Sequence, residues 1–352
     1  MKEVGVGIIG ATGAVGQRYI SMLSRHPYFR IRKLMGGKSA GKRYSDSTSW
    51  IIEGDIPEEV ADERIAEAKP ESAKECELIF SAVPSEVAKE IEPKFASSGF
   101  FVVSEASAHR MDDDVPLMIP EVNSEHLALL KIQREKRRWK GGLVTTPNCT
   151  TTGLAMVLKP LHDVFQISKV VATTMQAVSG AGYQGVPSMA IIENVIPFIK
   201  GEEEKVVRET KKILGKMNYD SILQEDIKIS VSCNRVSTLD GHLETVYLET
   251  KDSISVEGAK NALRSFSGLP QRDKFPTAPK RPIIVREEAD RPQPRLDRLS
   301  GTVPGMSVVV GRVRKEEGNA LQLTLLAHNT IRGAAGNAIL TAELIAETGY
   351  LE

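Results

Sequence analysis

EVGVGIIGATGAVG, residues 3–16, decides how the first half of the chain folds. Its apolar residues suit a short buried strand, after which the chain turns on Gly10, Gly13 and Gly16. QRYISMLSRH (17–26) follows with apolar residues at helical spacing. Strand, glycine turn and helix in that order make a dinucleotide site. The glycines let the main chain approach a pyrophosphate, and the helix start supplies N–H donors for it. The spacing is GxxGxxG rather than GxGxxG, and glycines mark any tight strand–helix turn, so the flanking pattern carries the assignment. The next strand, IRKLMG (31–36), lacks the Asp or Glu that would read an NAD ribose. GGKSAGKRY (36–44) instead brings Lys38, Ser39, Lys42 and Arg43. Those groups suit the 2′-phosphate of NADP, against the plain alternative of a solvated basic loop.

Outward from there, ELIFSAV (77–83) and FFVVSE (100–105) read as strands, with PSEVAKEIEPKFASSG (84–99) as a helix between them. Strands alternating with helices predict a Rossmann-type, doubly wound parallel α/β sheet, with Ser81 at a ligand-binding strand end. SEASAHRMDDDVPLMIPEVN (104–123) is irregular. Within it Arg110 either faces an anionic substrate or pairs with Asp112 to Asp114. A long polar helix, EHLALLKIQREKRRWKG (125–141), leads to the strand GLVTTP (142–147).

TTPNCTTTG (145–153) then sets Cys149 at the mouth of a helix, GLAMVLKPL (153–161). A thiol there would sit among unpaired backbone N–H groups at the positive end of the helix dipole, which favours the thiolate. The bland reading is a small buried hydrophobe. ISKVVATTMQAVSGAG (167–182) is a strand ending in Gln176, followed by a flexible loop through Ser179 and Gly180. KISVSCNRVSTLDGHLETVYLET (228–250) reads as a hairpin turning at Leu239-Asp240-Gly241, and MSVVVGRVRKEEGNALQLTLLAHNT (306–330) as another turning at Glu317-Gly318-Asn319. A charged helix occupies GEEEKVVRETKKILG (201–215). This pattern predicts a second, α+β domain at 149–330. The nucleotide domain is 1–148, joined by a returning C-terminal helix, 331–352. Brought together, Cys149 and His242 would form a nucleophile with its acid–base partner. Alone, His242 and Arg235 read as ordinary core or strand-edge residues.

At 352 residues the chain exceeds the usual size of one core. Lys plus Arg equals Asp plus Glu at 46 each, so no net field recruits nucleic acid or an anionic membrane. Cys76, Cys149 and Cys233 form neither a disulfide framework nor a CxxC metal pair. An odd cysteine count, and a first segment unlike a secretory leader, predict a cytoplasmic protein. No HExxH or Walker loop occurs, the GxSxG match GKSAG (37–41) is part of the basic loop after the second strand, and no metal is expected.

GATGAVG, SAGKRY, SEASAHRMDDDVPLMIPEVN, TTPNCTTTG, QAVSGAGYQGVPSM, ETKKIL, CNRVSTLDGHLE, FPTAPKRPI, GMSVVVGR and HNTIRGAAGNAIL together span nearly the whole chain. In these motifs the sequence resembles the archaeal and fungal branch of the aspartate-semialdehyde dehydrogenases. The resemblance implies NADPH-dependent reductive dephosphorylation of 4-phospho-L-aspartate to L-aspartate 4-semialdehyde, toward lysine, threonine and methionine, by a homodimer or homotetramer. It implies Cys149 as acyl-enzyme nucleophile, His242 as acid–base residue and Gln176 as the group orienting substrate and thioester. Arg235 falls at the carboxylate-binding position, Arg110 and Lys205 at the phosphate pair, and Glu202 at a substrate amino contact. Gly10 belongs to the nucleotide turn. Thr12, Gly13, Ala14, Val15, Lys38, Ser39, Ser81, Ser179, Gly180 and Asn329 match cofactor positions. Glu105 departs from the family's SNASAHR, where Asn is usual. Archaeal malonyl-CoA reductases resemble this branch and share the Cys, Arg and His framework. The rival of another class is a non-catalytic NADP-binding sensor.

Overall fold

Strand β1 (Val4–Ile9) lies inside a six-stranded sheet with β2 (Phe29–Gly36), β3 (Ala66–Glu67), β4 (Leu78–Ser81), β5 (Phe101–Ser104) and β6 (Gly142–Thr145), ordered β3-β2-β1-β4-β5-β6. A computed structural model of the chain describes residues 3–351. Every pairing in this sheet is parallel. The order reverses between β1 and β4, and a crevice opens at the carboxyl ends of those strands, where doubly wound sheets take ligands. The longer helices are α1 (Ala14–Leu23), α2 (Ser85–Ser97), α3 (Leu129–Arg137), α4 (Cys149–Phe165), α5 (Glu202–Ile213), α6 (Val256–Ser265) and α7 (Gly336–Glu347).

Alternation along the strands sends Val6, Ile8, Phe80 and Val103 to one face, where they meet Tyr19 and Ile20 of α1 and Ile339 and Leu340 of α7. Ile9, Ile79 and Val102 go to the other and pack on Phe95 of α2. Being covered on both faces, these strands read as continuous apolar runs.

The second sheet is mixed and runs β10-β7-β11-β14-β13-β12. Its strands are β7 (Ile167–Gln176), β10 (Lys228–Arg235), β11 (His242–Thr250), β12 (Ile283–Val285), β13 (Val308–Glu316) and β14 (Ala320–Ala327); β8 (Lys216–Asn218) and β9 (Ser221–Leu223) make a separate small pair. One face carries α4, whose Leu154, Leu158 and Leu161 are fully buried in one cluster with Val170, Val246, Leu248, Leu323 and Leu325. Each such leucine contributes about 1.5–3 kcal/mol of burial, so α4 is held to this sheet by its whole length. Among the described residues no helix is long and apolar enough to cross a membrane.

The expected hairpin over 228–250 is not formed. β10 pairs parallel with β7, and β11 pairs antiparallel with β7 on its other edge. Local turn chemistry at Asp240-Gly241 suggested direct pairing, but β7 supplies hydrogen-bonding edges to both strands. The connection therefore crosses over the end of β7. The 306–330 hairpin forms as expected, β13 against β14. The long polar helix begins as a tight 3-10 turn, Ser124–Ala128, before α3. Beyond β14, a wide turn over Ile331–Ala335 carries the chain back to α7, and the buried Arg332 is clamped by both oxygens of Glu121 at 2.8 and 2.6 Å.

Candidate active site

The crossover decides the geometry. Arg235 ends β10 in register with Gln176, and His242 begins β11 on the other side of the same strand end. α4 starts above them. The His242 Nε2 lies 3.1 Å from the Cys149 Sγ, so residues 93 apart in sequence meet. The Ala177 N–H donates to His242 Nδ1 at 3.1 Å, and Arg235 Nη1 donates to the Ala177 carbonyl at 2.7 Å. Gln176 is buried, its amide donating to Thr174 Oγ1 at 3.3 Å. A methyl group on Gly180 would stand 2.8 Å from Arg235 Nη1 and 3.1 Å from His242 Cε1. Only glycine lets the loop cover both side chains this closely.

Asn148 caps α4, its Oδ1 accepting the Thr150 and Thr151 N–H groups at 2.9 and 3.3 Å. The Thr151 donor is thereby taken, while the Thr150 N–H is shared between the cap and the sulfur. The cap is itself held by the buried face of α5. Glu202 Oε1 accepts from Asn148 Nδ2 at 2.8 Å, and Glu209 Oε2 from the Asn148 N–H at 2.6 Å. Glu209 also binds Arg110 Nη1 at 2.9 Å, while Arg110 Nη2 donates to the Glu105 carbonyl at 2.6 Å. Arg110 thus pairs with neither Asp112 nor Asp114, which bind Arg137 instead. Arg110 and the half-buried Lys205 line one cavity of about 530 Å³ with Lys200 and Arg208.

The charge balance at the sulfur corrects a sequence expectation. Burial, then the facing Glu202 carboxylate, push the Cys149 thiol up to about 12, against Arg235, the Thr150 N–H and Arg110, which pull it down. Burial, with help from Arg235 and His328, pushes His242 down to about 3. The resting pair is a neutral thiol beside a neutral imidazole. A helix start alone does not ionise a cysteine that is buried with a carboxylate standing opposite.

The nucleotide side is a second group of residues. Gly10 takes φ +82°, and a methyl group there would meet the Ala82 carbonyl oxygen at 2.4 Å. The Gly13 N–H donates to the Gly10 carbonyl at 3.0 Å, and Ala14 and Val15 open α1. A cavity of about 470 Å³ here is lined by Gly10, Thr12, Lys38 and Ser39 among others. Its glycine-walled rim at a helix start, with a lysine and a hydroxyl at the end of β2, fits a phosphorylated dinucleotide. Ser81 ends β4 in register with Ile9. Asn329 bridges toward the first group, donating to Ser179 Oγ at 2.7 Å and accepting from the Gly241 N–H at 2.8 Å. Gly333 packs on the nucleophile itself, since a methyl group there would lie 2.7 Å from Cys149 Cβ.

Residues 5–130 match the family model described as semialdehyde dehydrogenase, NAD binding domain, and residues 158–332 the one described as semialdehyde dehydrogenase, dimerisation domain. An aspartate-semialdehyde dehydrogenase of Archaeoglobus fulgidus is 51% identical, covering 97% of both chains. The chain belongs to the aspartate-semialdehyde dehydrogenase family. A family member from Candida albicans, solved with NADP, superposes with a TM-score of 0.90 at 40% identity, covering 97% of this chain and 98% of that one. A malonyl-CoA reductase (NADP) of Metallosphaera sedula is more distant than the Archaeoglobus relative, 42% identical over 98% of this chain and 97% of its own. Sequence reading of this family member missed Asn148, Glu209 and the Ala177 peptide. Asn148 carried a local signal, an Asn immediately before a helix. Glu209 and Ala177 carried none, because their partners lie far away in sequence.

Proposed function

We propose that the protein catalyses the NADPH-dependent reductive dephosphorylation of 4-phospho-L-aspartate to L-aspartate 4-semialdehyde, through a thioester on Cys149. The observation that carries this is the 3.1 Å contact between the Cys149 sulfur and His242, flanked by a buried arginine in a chain of this family. Cys149 Sγ attacks the acyl carbon, the C–S bond forms, and phosphate leaves toward Arg110 and Lys205. The Arg235 guanidinium commits one nitrogen to the Ala177 carbonyl and keeps donors for the substrate carboxylate. Glu202 offers an acceptor to the substrate amino group, and Gln176 orients the acyl group from the floor of the pocket. Bound NADPH supplies the hydride that reduces the thioester carbonyl. Thr12 to Val15, Lys38, Ser39, Ser81, Ser179, Gly180 and Asn329 hold that cofactor, with Lys38 and Ser39 taking the 2′-phosphate.

The working unit we infer is a homodimer or homotetramer built through the second domain. Met189, Ile192, Val195 and Phe198 support this, an apolar run with exposures of 92, 61, 55 and 64% that abuts β10 through the Ile196–Arg235 bridge. The domain division is 1–148 plus 331–352 against 149–330. Three unpaired thiols suit the reducing cytoplasm.

The test follows NADPH oxidation with 4-phospho-L-aspartate and with malonyl-CoA in parallel. Turnover with the acyl phosphate alone is expected. Turnover with malonyl-CoA alone overturns the substrate assignment, and none with either favours a sensor. Cys149→Ala should abolish turnover and leave NADPH binding intact.

A further inference from the structure

Lys212, the second lysine of the ETKKIL motif (209–214), takes no part in the chemistry of the site, yet it is only 3% exposed. Lysine is almost never buried without partners, and this one has three. Its Nζ donates to the main-chain carbonyls of Arg110 at 2.7 Å, Asp112 at 2.7 Å and Val115 at 2.9 Å. A neutral amine has two N–H groups and an ammonium three, so three accepting carbonyls specify the charged form. Burial pushes Lys212 down to about 8, while Asp112, Asp113, Asp114 and Glu209 hold it up, so the group keeps its charge at neutral pH.

Those carbonyls belong to the stretch that crosses from the end of β5 to the edge of β6. Between Ser104 and the Leu117–Thr145 bridge it forms one short turn, Ser107–His109, and no strand. A segment with so little regular pairing takes its path from whatever satisfies its main chain. Lys212 gathers three of its carbonyls at one point, beginning with that of Arg110 itself. One turn earlier on the same helix, Glu209 grips the other end of that arginine, Oε1 accepting from Nη1 at 2.9 Å. Arg110 is thus held by its carbonyl and by its guanidinium, both from α5. Glu202, Lys205, Glu209 and Lys212 follow one another at intervals of three, four and three, a single stripe along the helix. The spacing of Arg110 from Lys205 is therefore set by about two turns of rigid helix rather than by a loop.

We propose that Lys212 is a positioning residue for the anion pocket, an internal cation that knits the 110–115 loop to α5 and sets Arg110 into the cavity it shares with Lys205. This deepens the reading of Arg110 and Lys205 as the phosphate pair and rests on it. Lys212 makes no bond to substrate, and its effect on phosphate passes through Arg110.

Run from L-aspartate 4-semialdehyde and NADP⁺, the reaction takes inorganic phosphate as a substrate of its own, which separates the anion pocket from the rest of the site. At pH 7, Lys212→Ala should raise the KM for phosphate by about 10- to 100-fold, the worth of a hydrogen bond to a charged group. The KM values for the semialdehyde and NADP⁺ should not move. Lys212→Gln keeps two N–H donors; it covers failure of the alanine variant to fold and should show the same selective rise, smaller. The alanine variant lacks the equivalent of one n-propylammonium ion, and rescue is read without the aldehyde, which an amine would trap as an imine. In a ³¹P NMR titration with inorganic phosphate, n-propylammonium chloride should restore the lost affinity where sodium chloride of equal ionic strength does not. Three KM values that rise together, a phosphate KM that stays put, or an affinity the amine leaves unrestored overturns the proposal. A chain that turns over neither acyl compound nor the aldehyde sinks the reaction instead, and the titration then decides the positioning role by itself.

Discussion

Alkylation of Cys149 by iodoacetamide tests the electrostatics of the pocket directly, because only the thiolate reacts. With the thiol pushed up to about 12, each pH unit below that value cuts the reactive fraction tenfold, to about 10⁻⁴ at pH 8. A free cysteine at its usual pKa of about 8.5 is roughly one quarter ionised at the same pH. Cys149 is therefore expected to react on the order of 10³-fold more slowly than a free thiol at pH 8. Its rate should climb tenfold per unit from pH 7 to pH 10 without a plateau. Glu202 is the charge that opposes ionisation and Arg235 the first that favours it. Glu202→Gln should thus speed labelling at pH 8, by about tenfold or more for a close charge, and Arg235→Met should slow it. The readout is the carboxamidomethylated Cys149 peptide by mass spectrometry, since Cys76 and Cys233 are also pushed up to about 12 by burial. A labelling midpoint between pH 6 and 9, or a rate indifferent to Glu202→Gln, would refute the assignment of these charges.

Gly180→Ala places a methyl group 2.8 Å from Arg235 Nη1 and 3.1 Å from His242 Cε1. Displacing either group should lower kcat/KM by about 10²-fold while NADPH binding, followed by fluorescence, persists. Lys38→Ala should raise the KM for NADPH by about tenfold, the loss of one charge-assisted contact, and leave NADH kinetics unchanged. Glu244 is fully buried with neither oxygen hydrogen-bonded, and burial holds its carboxyl well above the usual range. Folded, it keeps its proton; unfolded, it ionises near pH 4.3. Stability then falls as pH rises past the unfolded value, by about 1.4 kcal/mol per unit until the buried group ionises. Glu244→Gln should gain on wild type by that slope in urea unfolding from pH 5 to 7, and parallel profiles would contradict it.

What could be read in the sequence was local. The turn on Gly10, Gly13 and Gly16 declares itself because strand, glycines and helix are adjacent, and the doubly wound sheet follows from alternation. Cys149, Gln176, Arg235 and His242 each end or begin a regular element, which made them visible as candidates. The crossover was hidden, since Asp240-Gly241 satisfies a hairpin turn equally well and only β7's pairing on both edges excludes one. The ionisation of Cys149 was misjudged for a similar reason. Burial of the sulfur and opposition by Glu202 depend on where α5 docks, which no short window of residues reports. Arg110 shows the same limit, because its carboxylate partner, Glu209, lies 99 positions away.

Because α4 is seated along its length on the second sheet, Cys149 rides on the same slab as Gln176, Arg235 and His242. The glycine turn and Lys38 belong to the other slab. Any breathing between the two widens or narrows the slot a dinucleotide slides into, while sulfur, imidazole and guanidinium keep their mutual spacing. The molecule can open to exchange its spent nucleotide without disassembling the machinery that nucleotide serves.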